Sequence, residues 1–208
     1  MTLDHHNIQT NSEVATIIGG GPSLTDDQIE YIRLSSSDTI AVNDAYKKVP
    51  DATFFFATDI KWWYYHRKEM SSLDNGSCWT IEGVGKHFLK RYKSPKLNEL
   101  SYTREYGLYN DKVHHGGNSG YIAIQFARLL GYKKIILVGF DHQHTFGKAH
   151  WFGDHDKTWF RKNAEDTERW LSNLDRLLTD INDVDIVNCS LQTAITSCRR
   201  STLEYELL

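Results

Sequence analysis

The residues best suited to chemistry in this sequence come directly after a β-branched run near the N-terminus. The run Val14–Ile18 stops at three glycines, Gly19, Gly20 and Gly21, and Ser23 follows two positions later. Glycines let a ligand approach the backbone closely, and the amides of such a turn, with the start of a following helix, suit a phosphate or carboxylate. The spacing matches neither a P-loop nor a complete dinucleotide fingerprint. Two interpretations stay open: an anion site, or a tight strand-to-helix turn.

Two further polar segments have the composition of ligand contacts. Asn118, Ser119 and Gly120 precede a strongly periodic apolar stretch, where Asn118 or Ser119 is suited to cap a helix. They form a second candidate anion or ribose site, unless they only begin the helix. Asn43 ends a buried strand, and its amide offers both a donor and an acceptor to a base or ribose. An Asx turn would also explain an Asn at this position.

A loop with four histidines follows the most apolar strand of the chain. Asp141 lies where a carboxylate would face a ligand, as a metal ligand, as the partner of a histidine or as a loop-forming residue. The histidine spacing, which includes His144, matches no standard zinc motif, so a metal is not expected. His150 lies among aromatic residues and is suited to act as a general base, because imidazole titrates near neutral pH. The alternative for His150 is a packing or surface role.

Length and composition predict one globular, cytoplasmic domain. The chain has 208 residues, of which 40% are hydrophobic and 25% charged, which is ordinary for a soluble protein. A net charge of -3 gives no overall signature of nucleic-acid or membrane binding. The 3 cysteines form no C-x-x-C pair, as expected for reduced thiols. No apolar run is long enough for a membrane span. Residues 1–13 are predicted to be a flexible N-terminus ahead of a single domain over 14–208.

Apolar runs and helical periodicity alternate along the chain. Strands are predicted at 14–18, 39–42, 52–57, 77–81, 134–138 and 185–187. Helices are predicted at 26–34, 60–70, 119–130, 157–181 and 191–197. Asp59 is predicted to cap the second of these helices. The alternation predicts an α/β fold: a Rossmann-like, doubly wound, mainly parallel sheet with helices on both faces.

The segment 83–112 has weak periodicity and is predicted to be an irregular insertion or lid. Its basic residues form either a solvated face or a nucleic-acid contact; they are Lys86, Lys90, Arg91, Lys93 and Lys96. Ligands of doubly wound sheets bind outside the carboxyl ends of the strands, near the switch in strand order. The segments that leave strands are 19–23, 43–44, 58–59 and 139–144. We therefore expect these four segments to meet in one crevice.

The motifs between residues 14 and 188 also occur in a recognisable order. They are Ile-Ile-Gly-Gly-Gly-Pro-Ser-Leu at 17–24, Asn43, Asn-Ser-Gly at 118–120 with Ala123, Leu-Gly-Tyr-Lys-Lys-Ile at 130–135, Gly-Phe-Asp at 139–141, and His-Trp-Phe-Gly at 150–153. This order resembles glycosyltransferase family 42, the bacterial sialyltransferases. It is also similar to the wider group of motility accessory factors and 6-hydroxymethylpterin diphosphokinases, and to small phage-encoded proteins. Only 83–112 is unmatched within this range.

The resemblance implies a role for each matched residue. In the sialyltransferases, the glycine-rich turn, the Ser-Gly helix start and the Asn after the second strand hold the nucleotide of a CMP-sugar. The expected nucleotide contacts and their neighbours in the crevice are Gly19, Gly20, Gly21, Ser23, Asn43, Asp59, Asn118, Ser119 and Gly120. The histidine that His150 matches is the general base that activates the acceptor hydroxyl. Tyrosines that stabilise the leaving phosphate in that family are replaced here, and Lys148 or a protonated His144 could do the same work.

The sequence therefore predicts a glycosyltransferase that uses a nucleotide sugar, with a CMP-sugar as the donor and no required metal. His150 would be the base, with Asp141, His144 and Lys148 beside it. The acceptor would be a glycan or a modified nucleobase, and a homo-oligomer is compatible with the sequence. One alternative is a diphosphokinase-type transferase that uses ATP and Mg²⁺ through Asp59 and Asp141. The other is a phage DNA-modification glycosyltransferase or accessory protein.

Overall fold

The computed structural model of the chain describes residues 8–73, 77–85, 97–153 and 164–207. Its strands are β1 Val14–Ile18, β2 Asp38–Val42, β3 Phe54–Phe56, β4 Cys78–Ile81, β5 Asn98–Leu100, β6 Tyr102–Thr103, β7 Val113–His114, β8 Lys134–Val138, β9 Asp185–Asn188 and β10 Arg199–Arg200. Its α-helices are α1 Asp26–Leu34, α2 Ile60–Leu73, α3 Ser119–Leu129, α4 Ala164–Asp180 and α5 Leu203–Leu207. A short 3-10 helix, Asn43–Lys47, follows β2.

Eight of these strands form one parallel sheet, in the order β10-β9-β8-β1-β2-β3-β4-β5. The chain builds outward from β1 to β5 in one direction and later from β8 to β10 in the other. The strand order therefore switches between β1 and β8, which pair along their whole length. β6 and β7 form a separate parallel pair. The predicted doubly wound α/β fold is confirmed.

Both faces of the central strands are buried, which explains why β1, β3 and β8 are almost continuously apolar. Because side chains alternate along a strand, Ile135 and Leu137 of β8 belong to one core and Ile136 and Val138 to the other. The first core takes its helical contribution from α3 and α4. The second takes it from α1, α2 and α5. Helices thus cover the two faces as the strand–helix alternation predicts.

Long apolar or periodic segments were predictable almost to the residue. β1, β8 and α1 have the predicted bounds, and α2 and α3 differ from theirs only at the C-terminal end. Asp59 caps α2 as predicted, because its Oδ1 accepts a hydrogen bond of 2.7 Å from the Lys61 amide. α4 falls within the helix predicted over 157–181; the first part of that helix, 157–163, lies outside the described residues.

The prediction of a helix over 191–197 is wrong. The Ala194 amide donates to the Asp141 carbonyl at 2.8 Å, and the Thr193 hydroxyl donates to the Phe140 carbonyl at 2.7 Å. The Ile195 amide donates to the Thr193 hydroxyl at 3.1 Å instead of to a helical carbonyl. The segment is therefore held against the loop after β8, and these tertiary bonds replace a helical ladder. β10 and α5, which follow it, were not predicted.

Part of the predicted insertion belongs to the main sheet. β5 pairs with β4 as the edge strand, and β6 begins two residues after β5 ends. These strands have only 3 and 2 residues, too few to show a periodicity in the sequence. The basic cluster Lys86, Lys90, Arg91, Lys93 and Lys96 lies outside the described residues.

The predicted flexible N-terminus is partly tied to the sheet. The Asn11 amide donates to Asp38 Oδ2 at 2.8 Å, and the Ser12 amide donates to the same oxygen at 3.3 Å. The Tyr132 hydroxyl also donates to Asp38 Oδ2, at 2.8 Å. The segment from residue 8 is therefore anchored beside the start of β2, and residues 1–7 lie outside the described residues. In the described parts of the chain, no helix has the length and apolar character needed to cross a membrane.

The C-terminal helix is held by one buried carboxylate. Glu206 is 7% exposed and accepts hydrogen bonds from Lys134 Nζ at 2.9 Å and from both terminal nitrogens of Arg199. The bonds from Arg199, followed by those from Lys134, outweigh the opposing effect of burial and lower the pKa of Glu206 from 4.5 to about 2. Glu206 thereby links α5 to β8 and β10.

We predict that the stability contributed by Glu206 depends on pH. Because the folded pKa is depressed, the contribution is complete above pH 4.5 and is lost as the pH falls toward about 2. Glu206→Gln should lower the free energy of unfolding at pH 7 by about 2 kcal/mol. Urea unfolding followed by tryptophan fluorescence measures this, with exposed Glu204→Gln on the same helix as the control. An equal loss at pH 7 and pH 3 would show that the charge of Glu206 is not the stabilising feature.

Candidate active site

The three glycines after β1 allow two loops to pack against each other. The φ angles of Gly19, Gly20 and Gly21 are not positive, so these positions do not need glycine for its backbone freedom. A Cβ on Gly19 would lie 2.5 Å from the Gly139 carbonyl oxygen, and one on Gly21 would lie 2.1 Å from Asp141 Oδ1. Since real Cβ atoms do not approach this closely, any other residue would separate the loops that follow β1 and β8.

Most of the amides in this turn are already used by the protein. The Gly19 amide donates to the Val138 carbonyl at 2.8 Å, and the Gly21 amide donates to the Gly139 carbonyl at 2.7 Å. The amides of Gly19 and Gly21 are therefore engaged within the protein and shape the turn, and the predicted contact of these residues with a nucleotide stays a prediction. Within the described residues, no acceptor lies on the amide of Gly20.

Ser23 and Asp141 form a buried clamp across the switch in strand order. The Ser23 hydroxyl donates to Asp141 Oδ1 at 2.6 Å, and the Ser23 amide donates to Oδ2 at 2.9 Å. Each residue is only 2% exposed. This contact fits the loop-forming role that the sequence left open for Asp141, because the two residues bond each other and hold the two loops together. Contact of Ser23 with a nucleotide stays a prediction.

His150 lies directly over the glycine turn. A Cβ on Gly20 would lie 3.2 Å from His150 Nδ1, and the Trp151 amide donates to the Gly20 carbonyl at 3.1 Å. The imidazole stacks on Phe152, with ring centroids 4.9 Å apart and an interplanar angle of 5°. His150 is half-buried. His150, the candidate base from the sequence, is thus held next to the glycine-rich turn, the candidate anion site.

The 3-10 helix after β2 reaches the same histidine loop. Lys47 Nζ lies 5.8 Å from the centre of the Phe152 ring, and Lys48 Nζ lies 4.9 Å from a ring centre of Trp151. Asn43, which begins the 3-10 helix, has a left-handed backbone with φ of 51°, a conformation that asparagine tolerates better than most residues. Its side chain is half-buried, and no described group bonds it.

The segments after β3 and before α3 also meet. The Ser119 hydroxyl accepts from the Thr58 amide at 3.1 Å and shares a second hydrogen bond of 3.0 Å with the Thr58 hydroxyl. Asn118 caps α3, as predicted, by accepting from the Tyr121 amide at 2.9 Å. The amide nitrogen of the same Asn118 side chain is buried, and no described residue accepts a hydrogen bond from it. A Cβ on Gly120 would lie 3.0 Å from the Phe140 ring.

These contacts bring the four strand-end segments together, as the doubly wound topology predicted. The segment after β1 touches the segment after β8, and the segment after β2 touches the histidine loop. The segment after β3 bonds the start of α3, whose Gly120 packs on Phe140. The four strand-end segments therefore lie together at the carboxyl edge of the sheet, around β1.

His144 and Lys148 are both exposed. They flank a tight turn in which the amides and carbonyls of Thr145 and Lys148 pair in both directions at 3.1 Å. No described contact joins this turn to the His150 ring. Among the described residues, no group of three or more His, Cys, Asp or Glu side chains could hold a metal ion.

Sequence reasoning missed a polar cluster beside this edge. Asp44 is 5% exposed; it accepts from Lys47 Nζ at 2.5 Å and from Trp62 Nε1 at 3.1 Å. His66 Nε2 lies 3.7 Å from Asp44 Oδ1, and its Nδ1 is hydrogen-bonded to the Tyr46 hydroxyl at 2.9 Å. Burial opposes ionisation of Asp44, but Lys47, His66 and Trp62 together outweigh it and lower the pKa of the carboxyl.

One feature of the sequence could have indicated this cluster. Trp62 and His66 are four positions apart on α2, so they share one face of that helix. Both carry ring N–H donors, and an apolar helix face rarely presents two such groups without a buried acceptor. Asp44, directly after a buried strand, is that acceptor.

Comparison with protein-family models and with curated proteins found no match. Among solved structures, the chain is similar to the MAf glycosyltransferase from Magnetospirillum magneticum AMB-1, with a TM-score of 0.62 and 16% sequence identity. The match covers 98% of this chain and 35% of that one, so this chain spans about a third of the length of the protein that it resembles. The likeness shows that the two proteins share a fold along nearly the whole of this chain.

Proposed function

We propose that this protein is a glycosyltransferase that binds a nucleotide sugar at the carboxyl edge of the sheet and uses His150 as its general base. The observation that carries the proposal is the position of the His150 imidazole over Gly20. A proton acceptor is thereby held beside the turn where a doubly wound fold is expected to bind its ligand. The shared fold with a protein described as a glycosyltransferase supports the same activity.

Three polar groups at this edge are suited to hold the nucleotide. The buried Asn118 amide nitrogen has no described acceptor, and leaving such a donor unsatisfied costs about 1–3 kcal/mol. A phosphate or base oxygen would satisfy it. Among the three glycine amides of the turn, that of Gly20 has no acceptor within the described residues and could donate to an anion. Asn43 could bond a base or ribose, because its side chain offers a donor and an acceptor.

The proposed reaction is a single displacement at the sugar. Neutral His150 accepts the proton of the acceptor hydroxyl as its oxygen attacks the anomeric carbon. The bond from that carbon to the phosphate oxygen breaks, and its electron pair leaves with the nucleotide. The configuration at the sugar is inverted, because one attack replaces one leaving group from the opposite side. The donors at the edge of the sheet stabilise the charge that develops on the phosphate.

The first prediction of this proposal is that the protein binds a nucleotide without a metal. Thermal unfolding is measured with CMP, UDP, GDP, ADP and ATP, each with and without Mg²⁺. Because a ligand at 100 times its Kd stabilises by about 2.7 kcal/mol, binding should raise the midpoint clearly, and CMP should have the largest effect. Stabilisation by ATP alone, and only with Mg²⁺, would instead favour a diphosphokinase-type transferase. An unchanged midpoint with all five would contradict the proposal.

The second prediction separates the base from the binding site. His150→Ala and His150→Asn should lower the release of CMP from CMP-sialic acid by about 10²-fold to 10⁴-fold, because general base catalysis contributes that much. Binding of CMP should change little in either variant. His115→Ala is the matched control, since His115 is exposed beside the small sheet of β6 and β7. Full turnover in both His150 variants would overturn the assignment of the base.

The third prediction tests whether the contact with Gly20 positions the His150 imidazole. A Cβ on Gly20 would lie 3.2 Å from the imidazole, so Gly20→Ala should push the ring by a few tenths of an ångström without straining the backbone. We expect turnover to fall about tenfold, since small misplacements of a catalytic group are costly. The thermal midpoint should remain near that of the wild type. Undiminished turnover in a folded Gly20→Ala variant would show that this contact does not position the base.

A further inference from the structure

We propose that Lys47 binds the phosphate of the leaving nucleotide and that Asp44 is the positioning residue that holds its ammonium at the crevice. This inference rests on the proposed function and deepens it, because it names the cation that the sequence analysis sought in His144 or Lys148. Those two residues are exposed on a separate turn. Lys47 belongs to the 3-10 helix that follows β2, the strand next to β1, and it lies beside the ring that stacks on His150.

The position of Lys47 follows from the topology of the sheet. β2 is the immediate neighbour of β1, so the 3-10 helix after β2 begins next to the glycine turn after β1. Phe152 connects the two. A Cβ on Gly20 would lie 3.8 Å from the Phe152 ring, and Lys47 Nζ lies 5.8 Å from the centre of that ring. A phosphate over the glycine turn would thus have Lys47 on the β2 side.

The buried carboxylate of Asp44 explains why the lysine is held there. A buried carboxylate is costly unless it is paired and hydrogen-bonded. Asp44 is paired by Lys47 Nζ at 2.5 Å and further bonded by Trp62 Nε1 at 3.1 Å. Trp62, on α2, donates to Asp44 Oδ2 and so fixes the orientation of the carboxylate. The other oxygen, Oδ1, then holds the Lys47 ammonium in place. The flexible lysine side chain is thereby restricted before any ligand arrives.

Lys47 keeps donors for a ligand while it binds Asp44. An ammonium group has three N–H donors, and the hydrogen bond to Asp44 uses one of them. The Lys47 side chain is 43% exposed, whereas that of Asp44 is 6% exposed. Lys48, the adjacent lysine, is less suited, because its side chain is only 19% exposed and its ammonium is already paired with Asp26 beside Trp151.

The chemistry requires a cation at this place. When the bond between the sugar and the phosphate oxygen breaks, its electron pair remains on that oxygen and the phosphate gains a negative charge. A Lys47 hydrogen bond to the phosphate would be charge-assisted, which is roughly twice as strong as a hydrogen bond between neutral groups. The interaction would strengthen as the charge develops, so it would act on turnover as well as on binding.

The test compares each nucleotide with its nucleoside, because only the nucleotide carries the phosphate. Isothermal titration measures the Kd of CMP and of cytidine, and of whichever other nucleotide and nucleoside pair the thermal screen selects. Lys47→Met should weaken the nucleotide by about 10-fold to 100-fold and leave the nucleoside unchanged. Lys47→Arg should retain most of the affinity for the nucleotide. Lys133→Met, which removes an exposed lysine just before β8 at the opposite edge of the sheet, is the matched control and should behave as the wild type.

Asp44 needs variants of its own, because Lys47→Met leaves a buried carboxylate without its cation and could unfold the chain. The double variant Asp44→Asn with Lys47→Met removes both charges and should show the same selective loss for the nucleotide. Asp44→Asn alone should lower nucleotide affinity less than Lys47→Met, since the ammonium remains but is no longer held. Circular dichroism establishes that each variant is folded.

The outcomes distinguish this inference from the proposed function. If the wild type binds a nucleotide and the folded Lys47 variants bind it equally well, Lys47 is not the phosphate contact, although the proposed function stands. If nucleotide and nucleoside weaken by the same factor, Lys47 acts through the shape of the site, and the inference is also overturned. If the wild type binds none of the nucleotides, both proposals fail together.

Discussion

The structure depends on the contact between the loops that follow β1 and β8. At this switch in strand order, a doubly wound sheet ordinarily opens a crevice, because the chain leaves the two strands in opposite directions. Here Gly19 and Gly21 leave no space for a side chain against Gly139 and Asp141. The Ser23–Asp141 pair then locks the loops with two buried hydrogen bonds. The two loops are therefore packed against each other, and the proposed nucleotide would have to bind over them and not between them.

This closure changes what the glycine-rich turn contributes. A phosphate-binding loop needs amides that point away from the protein, but two of the three glycine amides here bond the loop after β8 or the end of that strand. Recognition of the proposed nucleotide would therefore rest on groups around the turn as well as on the turn itself. His150 covers Gly20, Asn118 has a buried donor to share, and the 3-10 helix after β2 brings Lys47. The turn serves mainly as the surface on which these groups are arranged.

Local sequence was sufficient wherever a buried element is long. β1 and β8 are apolar on both faces, and α1 has its capping residue and apolar stripe within nine residues, so each could be predicted. Convergence of the strand ends followed from parallel topology alone. β5 and β10 could not be predicted, because they are too short to show a pattern and exist through pairing with β4 and β9. The roles of Gly21 and Asp44 could not be predicted either. Gly21 leaves space for Asp141, which is distant in sequence, and Asp44 accepts a hydrogen bond from Trp62 on α2.

The two buried carboxylates at this edge have opposite electrostatic consequences for a phosphate. Asp141 is bonded by an amide and a hydroxyl, which are neutral donors, so its negative charge is solvated but not cancelled. Asp44 is paired with an ammonium, so its charge is cancelled. A phosphate above Gly20 would meet the uncompensated field of Asp141 in a region where charges are poorly screened. The amide of Gly20 and the dipole of a helix start are partial charges, and they cannot offset a full one. A nucleotide site on this turn therefore requires a cationic group close to the phosphate, and among the described lysines Lys47 has both the position and the unused donors. Because the charge of Lys47 already balances that of Asp44, Lys47 would act through proximity and charge-assisted hydrogen bonds and not through an excess of positive charge.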